Sequence, residues 1–449
     1  MLNTLKILHI SDEHYAPKTL AKVEPCMAHV LEVGRMTCPD VIVSTGDATD
    51  HAIDAHSPAF AALARRLREA SDIAPVLILQ GTFSHSPRGL VDLYPMLAGK
   101  WPVYAAVHIH QVALLTDNTW LPSEGFVFAT VPENAKVIFT LFPTANKADV
   151  AAVVGASDAA SVAGEAMQSL MHAFAPINLE ARRLGIPCIA LGHGTVSGCL
   201  TEHDVPMAGM DHEFSVGGLF ALEASAVMLG HIHKHQTWQN ESRMIGYAGS
   251  LGRLHHGEIG DKGAVMWNIT PDMASCEQIV TPTRRSVTLE FDTLPTAAEI
   301  IARKAELADC DVRIRWEVQE ADRDKVDRHA LEEALIQIGA KDIKLEGTVI
   351  ATQRSRAEGM NRLLSVEAKL GLWAATVGQN RAPLLERLDL LVSSNGDGLV
   401  EAIVEQCKQR ATLPLPVGSL PVASPPVAST VVDAVMMDTT HIWNELQLA

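Results

Sequence analysis

The sequence predicts an α/β layered fold, and two observations carry that prediction. Short apolar, β-rich runs recur along the first 270 residues or so: "LKILHIS", "VIVSTG", "PVLILQG", "AKVIFTLF", "IPCIALGHG", "AVMLGHIH" and "GAVMWNI". Several are unbroken, as expected of strands covered on both faces. The early ones are separated by helical patterns such as "SPAFAALARRLREA", where Ser57 is placed to cap the first N–H groups and Pro58 to fill the first turn. The order strand, helix, strand gives a layered α/β domain over residues 1–283.

After "TPTRR" the texture changes. Residues 284–352 alternate short strands and helices and read as a small α/β capping domain. Residues 353–411 read as a helical, partner-binding region, in which Leu384, Leu388 and Leu391 fall at i, i+4 and i+7 and form one apolar stripe. That stripe serves either packing within the chain or docking of a partner helix. The stretch "LPLPVGSLPVASPPVAS" is too rich in proline for a helix or a central strand, so 412–430 is expected to be an extended linker, followed by a tail at 431–449.

Bulk composition narrows the function. The chain has 449 residues, 47% hydrophobic and 20% charged, the mix of a soluble globular protein; no run approaches the roughly 18 apolar residues of a membrane span. The start "MLNTLKILHIS" lacks the layout of a signal peptide and reads as a first strand, so a cytoplasmic location is expected. Seven scattered cysteines with no CxxC pair suggest neither a zinc knuckle nor a disulfide framework. A net charge of −17 argues against nonspecific affinity for nucleic acid, which needs Lys and Arg. Any DNA contact must then use a local basic patch, a metal centre or a partner. Nineteen histidines, by contrast, are an unusually high share.

The histidines gather at strand ends. "HISDEHYA" sets Asp12 and His14 two apart after the first strand, "VSTGDATDH" sets Asp47 after a glycine, "ALGHGTVSG" ends on His193, and "MLGHIHKHQ" repeats the two-residue spacing with His231 and His233. Each motif alone is commonplace. Four strand ends that each offer Asp or His are what a carboxylate-bridged two-metal centre requires, because open α/β sheets collect ligands beyond the carboxyl ends of their strands. Mixed oxygen and imidazole donors suit hard or borderline divalent ions, and the chemistry such a pair supports is phosphoester hydrolysis.

The ordered set "SDEH", "TGD", "GTFSH", "GHGTVSG" and "GHIH" resembles the calcineurin-like metallophosphoesterase superfamily. The longer context, "FSVGGLFALEASAVMLGHIHKHQ" followed by "IGYAGSLGRLHHGE", is similar to SbcD-type DNA-repair nucleases. The motifs cover about the first 270 residues, and the rest matches by layout only. The resemblance implies a metallophosphoesterase β-sandwich flanked by helices, with a capping domain and C-terminal helices that engage an SbcC-type coiled-coil ATPase. It further implies a DNA substrate, a homodimer, and two divalent ions, Mn²⁺ with Mg²⁺ as the alternative. By position, Asp12, His14 and His233 would hold one ion, Asp47 would bridge, and His193 and His231 would hold the second. Asp50 and His51 read as turn residues and His235 as a surface histidine. Tyr247, Gly249, Ser250 and Arg253 match a stretch that shapes the floor of the site, with Arg253 open to either a phosphate or a structural salt bridge.

One motif departs from the family pattern. Relatives usually carry Gly-Asn-His-Asp where this chain has Gly81-Thr82-Phe83-Ser84-His85-Ser86. Setting Ser84-His85-Ser86 over Asn-His-Asp keeps the catalytic histidine, His85, puts Ser84 in place of the metal-binding Asn, and leaves His85 without its Asp. Three alternatives follow: His85 protonates the leaving oxygen, His85 itself ligates the second ion, or the stretch is only a turn with His85 facing solvent. At the level of function, DNA cleavage competes with hydrolysis of small phosphodiesters and with a scaffold that has lost turnover.

Overall fold

The computed structural model describes residues 4–51, 54, 56–87, 89–144, 159–207, 214–351 and 365–411. The chain opens with β1 (Leu5–Ile10), α1 (Leu20–Thr37), β2 (Val41–Ser44), α2 (Pro58–Ile73), β3 (Val76–Leu79) and β4 (Val103–Ala106). It continues with β5 (His110–Leu115), β6 (Trp120–Pro122), β7 (Ala135–Phe142), α3 (Ala159–Arg183), β8 (Cys188–His193), β9 (Ala226–Gly230), β10 (Gln236–Asn240), β11 (Arg243–Tyr247), β12 (Gly263–Ile269) and β13 (Ala274–Val280). Ser57 caps α2 through its hydroxyl, which accepts from Ala59 N at 3.3 Å, and Pro58 occupies the first turn.

Two sheets result. One has six strands in the order β13-β12-β1-β2-β3-β4, parallel from β1 to β4; the other has seven, ordered β10-β11-β9-β8-β7-β5-β6, with β7, β8, β9 and β11 parallel. Alternate residues of each strand explain how they stack. Ile7, Val43 and Leu77 of the first sheet pack against Phe139, Leu191 and Met228 of the second. Leu8, Ile10 and Ile42 on the opposite face pack against Val30 and Leu31 of α1 and Leu63 and Leu67 of α2. Val227 and Leu229 on the outer face of the second sheet meet Met171 and Phe174 of α3. Both sheets are therefore covered on both sides, which is why their central strands are unbroken apolar runs. The parallel strands of both sheets end at the same edge of the sandwich.

Within the same compact unit, residues up to 352, β14 (Ser286–Phe291), β15 (Asp311–Gln319) and β16 (Asp342–Ile350) form a parallel three-stranded sheet. One face of it buries Leu289, Ile314 and Trp316 against Leu331 and Leu335 of the helix Arg328–Ile338. The other face presents Thr288, Arg313 and Lys344, which lie on the opposite alternation.

A second unit, from residue 353 onward, contains the helices Val366–Thr376, Ala382–Ser393 and Gly396–Ala411. Leu384 and Leu388 are half-buried in the second of these and Leu391 is exposed. The expected Pro-rich linker and tail lie outside the described residues. Among the described residues, no helix is long and apolar enough to cross a membrane.

Candidate metal centre

The loops beyond β1 and β2 run side by side, tied by Asp12 N to Gly46 O (3.0 Å), His14 N to Asp47 O (3.0 Å) and Tyr15 N to Ala48 O (2.9 Å). Asp12, His14, Asp47 and His231 all have left-handed backbone, with φ of 50°, 48°, 55° and 93°. Asp and His tolerate this region better than most residues, yet each such residue costs of order 1–3 kcal/mol, a strain held in place by the surrounding bonds. The result is that the side chains turn off the strand axis into one pocket. Close approach of the strand ends also depends on glycine. A Cβ at Gly81 would collide with the backbone and carboxylate of Asp47, and Gly46, at φ +105°, lies under the His193 ring.

Two clusters form there. In one, His14 Nε2 and His233 Nε2 are 3.1 Å apart and each lies 3.9 Å from Asp12 Oδ1. In the other, His193 Nε2 is 3.2 Å from Asp47 Oδ2, and the His193 and His231 rings meet edge to face at 5.2 Å. His193 Nδ1 donates to Thr45 O at 2.6 Å, which turns Nε2 toward Asp47. The backbone N of His231 donates to the Asp12 carboxylate, 3.2 and 3.1 Å from its two oxygens, linking the clusters. The six residues at four strand ends thus converge in three dimensions, three in each cluster.

Electrostatics favour cation binding. Burial pushes the His14 and His231 imidazoles down to about 4 and His233 well below the ordinary range, so all three are neutral. Burial alone would lower His193 too, but the Asp47 carboxylate raises it to about 9. Burial likewise opposes ionisation of Asp47, yet His193 holds that carboxyl below the usual range. Asp12 is pushed up to about 7 by burial, with His193 opposing and Asp47 adding. A donor set of two buried carboxylates and four imidazoles, three of them neutral, fits a pair of borderline divalent ions.

The variant motif is organised differently from the sequence alignment. Thr82, not Ser84, reaches the second cluster: Thr82 N donates to Asp47 Oδ1 at 2.6 Å, and its hydroxyl lies 3.2 Å from both Asp47 Oδ2 and His193 Nε2. Residues 82–86 form a tight turn, with His85 N and Ser86 N both bonded to Thr82 O (2.9 and 2.8 Å), and this turn throws Ser84 out to solvent. The expected Ser84 contact is therefore corrected to Thr82.

His85 does not face solvent. Its side chain is 26% exposed and its ring packs edge to face on His14 at 4.7 Å. Its Nδ1 lies 3.2 Å from Asp50 Oδ1, within the reach of the charge though off the line of a hydrogen bond. Asp50, 11% exposed, also holds Lys18 Nζ at 2.7 Å and lies 4.0 Å from His14 Nδ1. His51 stacks on His85 at 5.2 Å. The reading of Asp50 and His51 as plain turn residues is thus corrected: the loop after β2 supplies the carboxylate that the His85 segment lacks.

Arg253 does not point at the centre. Its guanidinium donates to the carbonyls of Glu258, Arg284 and Gly260 (3.3, 2.7 and 2.7 Å), so it pins backbone and has no carboxylate partner among the described residues. His235 is half-buried, with Nδ1 bonded to Tyr247 O at 2.7 Å, not a free surface residue. Tyr247 donates its hydroxyl to Gly194 O at 2.7 Å, steadying the loop after His193, and Ser250 N donates to His233 O at 3.2 Å.

No protein-family model matches the chain, and no curated protein does. Similar solved structures include GAP50, the anchor in the inner membrane complex of Plasmodium, with a TM-score of 0.37 and 11% identity over 76% of this chain and 97% of that one. A dimetal phosphatase from Danio rerio gives a TM-score of 0.35 and 10% identity over 61% and 98%. A predicted phosphoesterase from Streptococcus pneumoniae gives 0.22 and 11% over 62% and 100%. These likenesses concern the fold alone.

Proposed function

We propose that this chain is a metal-dependent phosphoesterase that hydrolyses phosphodiester bonds in DNA with two divalent ions, Mn²⁺ above all, as the nuclease subunit beside an SbcC-type ATPase. The observation that carries the reading is the pair of Asp/His clusters that share one sandwich edge, with His85 at their rim. Asp12, His14 and His233 would hold one ion and His193 and His231 the other, with Asp47 between them. Divalent ions supply Lewis acidity toward phosphoryl oxygens. The chain's own groups do the rest. Thr82 fixes the Asp47 carboxylate through two contacts, and His85 stands where it can hold a proton for a leaving oxygen. The Asp50 charge beside Nδ1 favours an N–H on that nitrogen, which leaves Nε2 as the atom that takes up a proton and returns it to the leaving oxygen.

Purified protein with Mn²⁺ is expected to cleave DNA, alone or with its ATPase partner, and His85→Ala to abolish cleavage with metal content kept. Failure to cleave single- or double-stranded DNA in either setting overturns the nuclease reading. The net charge of −17 favours one other reading, hydrolysis of small phosphodiesters. Comparing a cyclic dinucleotide, an aryl phosphate and a DNA oligomer as substrates separates the two.

A further inference from the structure

A cleft of about 470 Å³ opens between the loop Leu254–His256 and the polar face of the β14–β16 sheet, lined by His203, His255, His256, Arg313, Asp342 and Lys344. It adjoins the metal centre, because the His255 ring lies face to face with His233, 6.4 Å between centroids and 12° from parallel. Its charges do not balance. Asp342 is neutralised by Lys22 at 2.7 Å, Asp311 by Lys22 and Arg284 (3.0 and 3.1 Å), and Lys344 pairs with Glu346 at 2.6 Å. Arg313 is left over. Half-buried, it donates Nε to Thr288 Oγ1 at 3.2 Å, its Nη2 lies over Gly257, and it has no ion pair among the described residues. Its neighbour on the same strand, Arg315, is paired with Glu346 at 2.9 Å. A second lining group is satisfied on one side only: His256, with a side chain only 10% exposed, has Nε2 3.6 Å from Asp342 Oδ2 but no hydrogen bond at Nδ1.

A partly desolvated guanidinium without a counter-charge is the arrangement that an anion completes, and a phosphate matches its planar fork of donors. In a chain of net charge −17 such a local surplus of positive charge stands out against its surroundings. We propose that this cleft is a subsite for a second phosphate of the substrate, with Arg313 as its anchor. The inference rests on the phosphoesterase reading and narrows it: preferred substrates carry a further phosphate next to the scissile one. An oligonucleotide strand and a linear dinucleotide with a terminal phosphate share that chemistry, and single-phosphate diesters lack it.

The test has two arms. In EDTA, which removes metal chemistry from the readout, a fluorescent oligothymidylate is expected to bind Arg313→Ala about 10-fold more weakly than the wild type. The slope of log affinity against log salt should shrink by roughly 0.7, the share of one contact on a single strand. Arg313→Lys keeps the charge without the fork and should fall between the two. Equal binding by the wild type and Arg313→Ala overturns the subsite. In Mn²⁺, the Arg313→Ala substitution is expected to raise KM for the two-phosphate substrates about 10-fold more than for bis(p-nitrophenyl) phosphate. A rise confined to the oligonucleotide assigns the cleft to polymer, and one shared with the dinucleotide assigns it to either source. An equal rise for all three overturns it. A protein that hydrolyses none of the three refutes the phosphoesterase reading, and the EDTA arm still decides on the cleft.

Discussion

Lys262 donates its ammonium to the carbonyl oxygen of His233 at 2.8 Å, from a position where its own side chain is 1% exposed. The buried Glu258 carboxylate balances that charge at 2.6 Å through Oε2, and its Oε1 accepts from the backbone N of Leu254 and His255 (3.2 and 2.8 Å). One ion pair thus ties a candidate metal ligand to the loop that forms the wall of the phosphate cleft. Lys262→Met would leave Glu258 buried and unpaired, an expected loss of about 3–5 kcal/mol of stability, checked by urea unfolding. Adding Glu258→Leu should restore much of the loss, because the stranded charge goes with it. A double variant no more stable than Lys262→Met would show that the lysine acts by packing instead.

Thr82 makes a second specific expectation possible. Thr82→Val removes the hydroxyl that lies 3.2 Å from Asp47 Oδ2 and His193 Nε2 but keeps the backbone donor to Asp47 Oδ1. Mn²⁺ affinity measured by titration calorimetry should fall about 10-fold, the usual scale for a group that orients a metal ligand. Ser84→Ala, at the exposed tip of the turn, should bind as the wild type does. The reverse pattern would return Ser84 to the site.

For Asp50 the expected effect is on turnover. Asp50→Asn removes the charge 3.2 Å from His85 Nδ1 and should lower kcat about 10- to 100-fold, with little change in KM or metal content. Esters with poor leaving groups should suffer most, since only they need a proton delivered. In a His85→Ala background the same substitution should cost nothing further. A full additional loss there would place Asp50 in a role independent of His85.

These residues differ in how far the sequence announces them. Asp12, His14, Asp47, His193, His231 and His233 are legible because each follows an apolar run directly, and parallel strands carry their ends to one edge. The layered α/β domain follows from the same unbroken runs, whereas its division into two stacked sheets is implied by the family resemblance alone. Asp50 and His85 are 35 positions apart in sequence, and no periodicity links the loops after β2 and β3 that bring them together. A residue-by-residue alignment places Ser84 at the metal because it assumes an extended segment, whereas the bonds to Thr82 O curl it. Arg253 reads as available in the sequence because a side chain that donates to backbone carbonyls leaves no charge partner to find there. Glu258 and Lys262 do carry a signal, since an acid and a base four apart beside a glycine-rich turn can pair, but only burial shows that they do.

The metal centre also predicts how stability responds to ions. In the metal-free chain two buried carboxylates, Asp12 and Asp47, share a pocket with a single cationic imidazole, His193, and burial alone would favour the neutral form of each acid. Divalent ions that bind the folded chain and not the unfolded one should stabilise it by about 2.7 kcal/mol per site at a hundred times the dissociation constant. Urea midpoints in EDTA and in excess Mn²⁺ measure this directly. His14→Ala, which removes one donor from the Asp12 cluster alone, should reduce the Mn²⁺ count by elemental analysis from two to one and about halve the ion-dependent shift. Identical midpoints in EDTA and Mn²⁺ would mean that the six side chains converge without holding a metal.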